Sequence, residues 1–293
     1  MISVVKFIVD STCDLPEDLI IKSNISLIPL KVLIDDKDYL DKKTINVDEV
    51  YSAMRRGILP KTSQPNPKDM YDIFEECCNK GEDFIFLSFS SALSGTYRLA
   101  KTIVLELKER YPKINMEVID SKSGSTATGL IILEAIKFTQ ESGHSFYEIV
   151  GKIRNLVTHI EHVFTIADLN WLIKGGRIGK TQGVIGNILD IKPILDVSNG
   201  EMEIIQKVRG KKKALHRMVD ILEERAGNYK EQIIGVSHAD DIETAEELVN
   251  MIKIKLGYKQ FIINKIGSVL GSHLGIGGVG IFFFNDELDK RSN

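Results

Sequence analysis

Phe84-Ile85-Phe86-Leu87-Ser88-Phe89-Ser90-Ser91-Ala92-Leu93-Ser94-Gly95-Thr96-Tyr97 opens apolar and then fills with hydroxyls. The run at 84–87 reads as a strand buried on both faces. Beyond Tyr97, Leu99, Ile103 and Leu107 recur every four residues, as on one face of a helix. The hydroxyl-rich stretch is therefore a strand-to-helix turn. In an open α/β sheet, ligands sit at such turns. The unpaired N–H groups of a first helical turn favour an anion. The turn has no Lys, Asp, His or Cys, which suits holding a small anionic head group rather than chemistry on it.

The same alternation extends in both directions. Residues 4–10 read as a first parallel strand, followed by the turn Ser11-Thr12-Cys13-Asp14-Leu15-Pro16 and a helix near Pro16. A second strand is expected at 25–34, a helix at 51–56 and a further helix from Lys68, after the polar loop Thr62-Ser63-Gln64-Pro65-Asn66-Pro67. Met116-Glu117-Val118-Ile119-Asp120 is another strand, followed by Ser121-Lys122-Ser123-Gly124-Ser125 and helices at about 126–140 and 146–159. This order implies a three-layer α/β/α domain around a parallel sheet. Its turns at Ser11, Ser88 and Ser121 are all rich in Ser and Thr.

After about residue 160 the pattern changes. A short strand at 163–166 precedes a helix through Leu169, Leu172 and Ile173 that stops at Gly175-Gly176, a C-cap signal. Segments 192–197 and 202–208 flank Asn199-Gly200, a hairpin signal. A helix at 211–225, a strand at 232–237, a helix at 242–255 and a strand at 259–265 follow. A last strand at 279–284 comes after a glycine-rich turn. The reading is an α/β protein of two domains. Residues 1–160 form the parallel α/β/α domain, and residues 161–293 form an α+β domain with a mixed sheet.

Composition narrows the classes of function. The chain has 293 residues, 27% charged and 43% hydrophobic, enough for a sizeable core. A net charge of -3 gives no global case for nucleic acid or an anionic membrane. Cys13, Cys77 and Cys78 form neither a disulfide framework nor a metal pattern, and a reducing cytoplasm fits them. No signal-type N-terminus or membrane-length apolar run is evident, so at most transient membrane contact is expected. No metal and no cofactor are expected from the ligand spacings.

Each candidate site residue has a plain structural alternative. Thr62 and Ser63 can offer hydroxyls to a head group or cap the next helix. Ser94 can be a ligand hydroxyl or a cap. As a nucleophile it lacks the usual elbow, because position 92 is Ala. Arg177, in Lys174-Gly175-Gly176-Arg177-Ile178-Gly179, can fork onto a carboxylate or sit exposed beside a helix end. Arg209 ends a strand, where it can reach a cleft; Lys211, Lys212 and Lys213 read as a solvated face, with a weak nucleic-acid alternative. Segment 267–280 is glycine-rich and contains His273, but it precedes a strand, unlike a dinucleotide fingerprint. Its glycines suit close backbone approach. His159 and His162 are three apart and can share a helix face.

Taken together, these motifs resemble the DegV family of bacterial proteins, in particular its fatty-acid-binding, FakB-like branch. The resemblance runs from Val9-Asp10-Ser11-Thr12 to Gly280. It includes Thr62-Ser63-Gln64-Pro65, Ser91-Ala92-Leu93-Ser94-Gly95-Thr96-Tyr97, Asp120-Ser121, Gly175-Gly176-Arg177-Ile178, Lys192-Pro193-Ile194-Leu195, Val208-Arg209-Gly210 and His273-Leu274-Gly275. It implies one long-chain fatty acid in an apolar tunnel between two domains, its carboxylate met by Thr62, Ser94 and His273. Ser63, Arg177 and Arg209 would then serve the head group or a partner. That partner would be a separate fatty acid kinase making acyl phosphate for phospholipid synthesis, and the chain itself would have no catalytic residue. The chain departs from the family pattern at Ile276 in place of Pro, Ala127 where Gly is frequent, and Lys174 where Arg is common. The competing reading is an acyl hydrolase or acyl transferase using Ser94 and His273.

Overall fold

The computed structural model describes residues 5–141, 143–178, 190–285 and 288. The outer ends of the expected domains, Val4 of the expected first strand, and Gly179 of the Arg177 loop lie outside the described residues.

The first part of the chain runs β1 (Lys6–Asp10), α1 (Glu17–Lys22), β2 (Ser26–Ile28), β3 (Lys31–Ile34), β4 (Lys37–Leu40), α2 (Val47–Arg55) and β5 (Lys61–Ser63). It continues α3 (Pro67–Lys80), β6 (Phe84–Ser88), α4 (Thr96–Arg110), β7 (Met116–Asp120), α5 (Ser125–Gln140) and α6 (Phe146–His159). Four strands form a parallel sheet in the order β2-β1-β6-β7. The chain's progress across the sheet reverses between β1 and β6, so a crevice opens beyond their C-terminal ends. Phe74, Ala100, Val104 and Leu107 of α3 and α4 pack on one face of this sheet. Leu130, Ile131, Ile153 and Leu156 of α5 and α6 pack on the other.

The strand expected at 25–34 is two strands in different sheets. Pro29 has no N–H for a ladder, and the Leu30 N–H goes to Ser11 Oγ at 3.1 Å. Strand β3 then leaves the parallel sheet and pairs antiparallel with β4 and β5. Thr62, expected in a loop, is thereby held in register opposite Val32.

The second part runs β8 (Ile160–Thr165), α7 (Asn170–Gly175), β9 (Ile191–Ser198), β10 (Glu201–Arg209), α8 (Lys211–Ala226), β11 (Ile234–His238), α9 (Ile242–Leu256), β12 (Phe261–Lys265), α10 (Ser268–Leu274) and β13 (Val279–Phe284). Its sheet is mixed, in the order β10-β9-β8-β13-β11-β12, with only β11 and β12 parallel. Met218, Leu222, Leu248 and Ile252 of α8 and α9 cover one face. The glycine-rich stretch before β13 is not merely a turn. It contains α10, all of whose residues are buried. His159 and His162 share no helix face, because His159 closes α6 and His162 lies in β8.

Helix α5 joins the two sheets. Residues 125–132 are buried without interruption, as in a helix enclosed on all sides, and Leu130 packs with Phe282 of β13 in one core. Small residues permit this closeness: a Cβ on Gly129 would stand 2.5 Å from Leu15. The turn after β1 adds a polar clasp. Asp14 accepts from Ser125 Oγ at 2.7 Å, its backbone carbonyl accepts from Asn264 Nδ2 at 2.9 Å, and Lys42 approaches its carboxylate at 3.6 Å. Burial pushes the Asp14 carboxyl up to about 6.

The expected hairpin joins β9 and β10 through Asn199 (φ 50°) and Gly200 (φ 88°). Both central residues have positive φ, which the tight hairpin turn requires. Its tip docks on the hydroxyl-rich turn, where Ser90 Oγ donates to the Gly200 carbonyl at 2.8 Å. A Cβ at Gly200 would lie 2.4 Å from Ser90 Oγ. Gly200→Ala is therefore expected to cost about 1–3 kcal/mol of unfolding free energy in a denaturant titration. Unchanged stability would contradict this docking.

Candidate functional site

Carboxylates at strand ends, Asp10 buried and Asp120 half-buried, build the crevice. Asp10, at the end of β1, accepts from Thr12 N–H at 3.1 Å and Thr12 Oγ1 at 2.6 Å with one oxygen, and from Phe89 N–H at 2.6 Å with the other. Asp120, at the end of β7, accepts from the N–H groups of Ser91 and Lys122, each at 3.0 Å, and from the Ser91 hydroxyl. Burial raises the Asp10 carboxyl, against the lowering effect of the bonds from Thr12 and Phe89. These contacts fix the 88–97 turn from both sides.

Behind the turn lies a cavity of about 410 Å³, within the range of small-molecule sites. Its apolar wall includes Leu30, Phe89, Phe164, Ile266, Leu270 and Phe282, and its polar groups include Thr62, Ser63, Gln64, Ser94, Arg177 and His273. Five of the six head-group candidates thus line one space, drawn from β5, the 88–97 turn, the segment after α7, and α10.

Thr62 Oγ1 lies 2.7 Å from His273 Nε2, across 211 residues of sequence. His273 is 8% exposed, and its Nδ1 has no hydrogen-bond partner among the described residues. Burial, followed by the nearby Arg177 cation, lowers its pKa to about 4, so the ring is neutral at pH 7. Two glycines make room for it. A Cβ on Gly175 would meet His273 Nδ1 at 2.4 Å, and a Cβ on Gly271 would meet the hydroxyl of Tyr51 at 2.5 Å. The second close approach lets α10 lie against α2, where Tyr51 donates to the Ile266 carbonyl at 3.0 Å. Arg177 is anchored by Nη1 donating to the Gly175 carbonyl at 2.6 Å.

Ser94 serves the helix terminus itself. Its hydroxyl lies 2.8 Å from Thr96 Oγ1 and accepts from the Thr96 N–H at 3.3 Å. The N-cap position itself is Gly95, and Ser94, one residue before it, lines the cavity. Ser94 and His273 are not hydrogen-bonded to each other; each is bonded to a different Thr. Burial pushes the thiols of Cys13 to about 12 and of Cys77 and Cys78 to about 11, which removes them as nucleophiles at neutral pH.

Arg209 is not brought to this cluster. It is exposed at the end of β10, opposite Ile191. The residue of β10 that lines the cavity is Met202, seven positions away, or about 23 Å along an extended strand. Lys211, Lys212 and Lys213 are exposed, as a solvated face requires. Gln64 and Arg98, for which no site role is expected from the sequence, also line the cavity, as does His162, expected only to share a helix face with His159. The scaffold carboxylates enter the sequence pattern only as family landmarks, although Val9-Asp10-Ser11 and Ile119-Asp120-Ser121 repeat one pattern after two apolar runs. Among the described residues, no group of three or more His, Cys, Asp or Glu side chains can hold a metal, and no helix is long and apolar enough to cross a membrane.

A parallel sheet and a mixed sheet sharing a helix, with a part-polar, part-apolar cavity at the switch point, define the chain as an α/β protein with an internal cavity. The sequence pattern of the DegV family, described as uncharacterised proteins, matches residues 4–286. A DegV domain-containing protein of Clostridium perfringens is 36% identical, over 96% of this chain and 98% of its own. In fold, the chain is similar to a stearic acid-binding protein from Eubacterium ventriosum, with TM-score 0.89, 27% identity, and coverage of 98% of this chain and 100% of the other. It is similar also to DegV of Bacillus subtilis, described as a fatty acid binding protein, with TM-score 0.86, 28% identity, and coverage of 97% and 100%. The chain belongs to the DegV family.

Two outcomes test the electrostatics. The folded pKa of His273 is depressed below its ordinary 6.5, so its share of stability is complete above about pH 6.5 and is lost as pH falls through about 4. His273→Gln should therefore lose less stability than the wild type between those values in pH-dependent melts. In nitrogen-15 NMR, Arg177→Gln should move the His273 titration upward from about 4, because the repelling cation is gone. A titration that does not move would remove Arg177 as a cause.

Proposed function

We propose that this protein binds one long-chain fatty acid in the cavity, with its carboxylate at Thr62, Ser94 and His273 and its tail against Phe89, Phe164 and Phe282. The observation that carries this reading is the Thr62–His273 pair beside Ser94 in a cavity whose remaining wall is largely apolar. The fatty-acid and stearic-acid binding described for proteins of the same fold supports it.

The physical chemistry is consistent with that assignment. Each buried methylene contributes about 0.8 kcal/mol, so the tail supplies most of the affinity. A buried carboxylate is costly unless it is bonded or paired. Hydroxyl donors, the neutral His273 ring and the Arg177 cation offset that cost. A bound carboxylate would in turn favour protonation of His273.

In this proposal residues 1–160 and 161–293 act as two units closing on the ligand. The chain is a carrier in the cytoplasm, not a catalyst. A separate ATP-dependent kinase phosphorylates the presented carboxylate, with Ser63 and Arg177 serving the head group and Arg209 the partner surface. The bonding of Ser94 to Thr96 and of His273 to Thr62 does not favour the acyl-hydrolase alternative, which needs those two side chains paired.

Native mass spectrometry of the purified protein tests the carrier reading, with the expected result of a bound long-chain acid or uptake of added palmitate or oleate. The double variant Thr62→Ala, Ser94→Ala should bind the acid at least about tenfold more weakly, from lost bonds to a charged group. Protein that is empty and takes up neither acid would sink the proposal. Unchanged affinity in the double variant would remove the head-group assignment.

A further inference from the structure

His162 contributes an unexplained polar group to the cavity wall. It lies in β8, is 4% exposed, and neither ring nitrogen has a hydrogen-bond partner among the described residues. Its contact is apolar in character, the ring meeting Phe282 edge-on at 5.8 Å between centroids. Burial lowers its pKa to about 3, with Arg225 a lesser cause, so the ring is neutral and offers one N–H donor and one acceptor. Ser123 lines the same cavity, and its buried Oγ likewise has no hydrogen-bond partner among the described residues. An unsatisfied buried polar group costs about 1–3 kcal/mol. Both residues line one cavity, and a polar group on its occupant would supply the partner each lacks.

Strand geometry gives the depth. His162, Phe164 and Ile166 alternate along β8 and its end, and all three line the cavity. The Ile166 end leads into α7, whose Gly175 touches His273. His162 is four residues back, about 13 Å along an extended strand. A fatty acid with its carboxylate at His273 and its tail along β8 passes His162 with the middle of its chain.

We propose that His162 and Ser123 form a second polar subsite that takes a hydroxyl or oxo group carried on the middle of the acyl chain, making an oxygenated long-chain fatty acid the preferred ligand. This rests on the fatty-acid reading above and specifies the ligand class. His162 would donate to an oxo group, or either donate to or accept from a hydroxyl, and Ser123 would do the same from its own position. An unsubstituted chain leaves both groups unpaired.

Equilibrium binding of stearate and of monohydroxystearates, the hydroxyl walked one carbon at a time through the middle of the chain, tests the proposal. The wild type should show an optimum position bound about tenfold more tightly than stearate. His162→Leu should lose that optimum and bind stearate at least as well as the wild type. His162→Gln, which keeps a donor and an acceptor, should retain part of the preference. If stearate binds and no positional isomer is preferred, this proposal is overturned while the fatty-acid reading stands. That result comes from the wild type alone, so it holds even if a variant does not fold. If neither stearate nor any isomer binds, the fatty-acid reading falls and this proposal falls with it.

Discussion

The carboxylate of Asp10 joins turns that are 79 residues apart in sequence. One oxygen holds Thr12 in its own turn; the other takes the Phe89 N–H of the turn after β6. Asp120 takes the far side of that second turn, and Ser90 Oγ reaches across it to the β9–β10 hairpin. The start of α4, with Ser94 and Arg98 beside it, is positioned by this frame. Unpaired, the buried Asp10 carboxylate would be costly; hydrogen-bonded, it and the half-buried Asp120 fix one edge of the crevice between β1 and β6.

The other side of the cavity comes from residues far along the chain. Helix α10 carries His273 and is wedged between α2 and α7 by backbone approaches that only Gly271 and Gly175 permit. Because His273 is buried and faces Arg177, it stays neutral, and Thr62 occupies its Nε2. The cluster can therefore meet an anion with donors and a nearby cation. A Ser–His pairing that would make Ser94 nucleophilic is not formed. This chemistry suits holding an anion better than hydrolysing an ester.

What was legible in the sequence was local. The apolar run at 84–87, the helix spacing of Leu99, Ile103 and Leu107, the Gly175-Gly176 stop and the Asn199-Gly200 hairpin each depend on neighbours within a few residues, and each stands where expected. The small sheet of β3, β4 and β5 was not legible, because its strands are only three or four residues long and one is split from β2 by Pro29-Leu30. Helix α10 was obscured by its Gly and Ser residues, poor helix formers that burial overrides here. The gathering of Thr62, Ser94, Arg177 and His273 around one cavity followed from family resemblance rather than from spacing. Arg209 looked alike in sequence, yet strand length takes it away. His162 offered only its spacing from His159, which misled: a histidine in an apolar strand becomes informative only once its nitrogens are seen to lack partners.

In the proposed function, one cavity holds an acyl tail with its carboxylate at the Thr62–His273 pair. A crystal structure of the protein with stearate tests this most directly. The carboxylate oxygens are expected within hydrogen-bond distance of Thr62, Ser94 or His273, with the tail running past Phe164 toward His162. A carboxylate found elsewhere, or a tail that leaves this cavity empty, would contradict it.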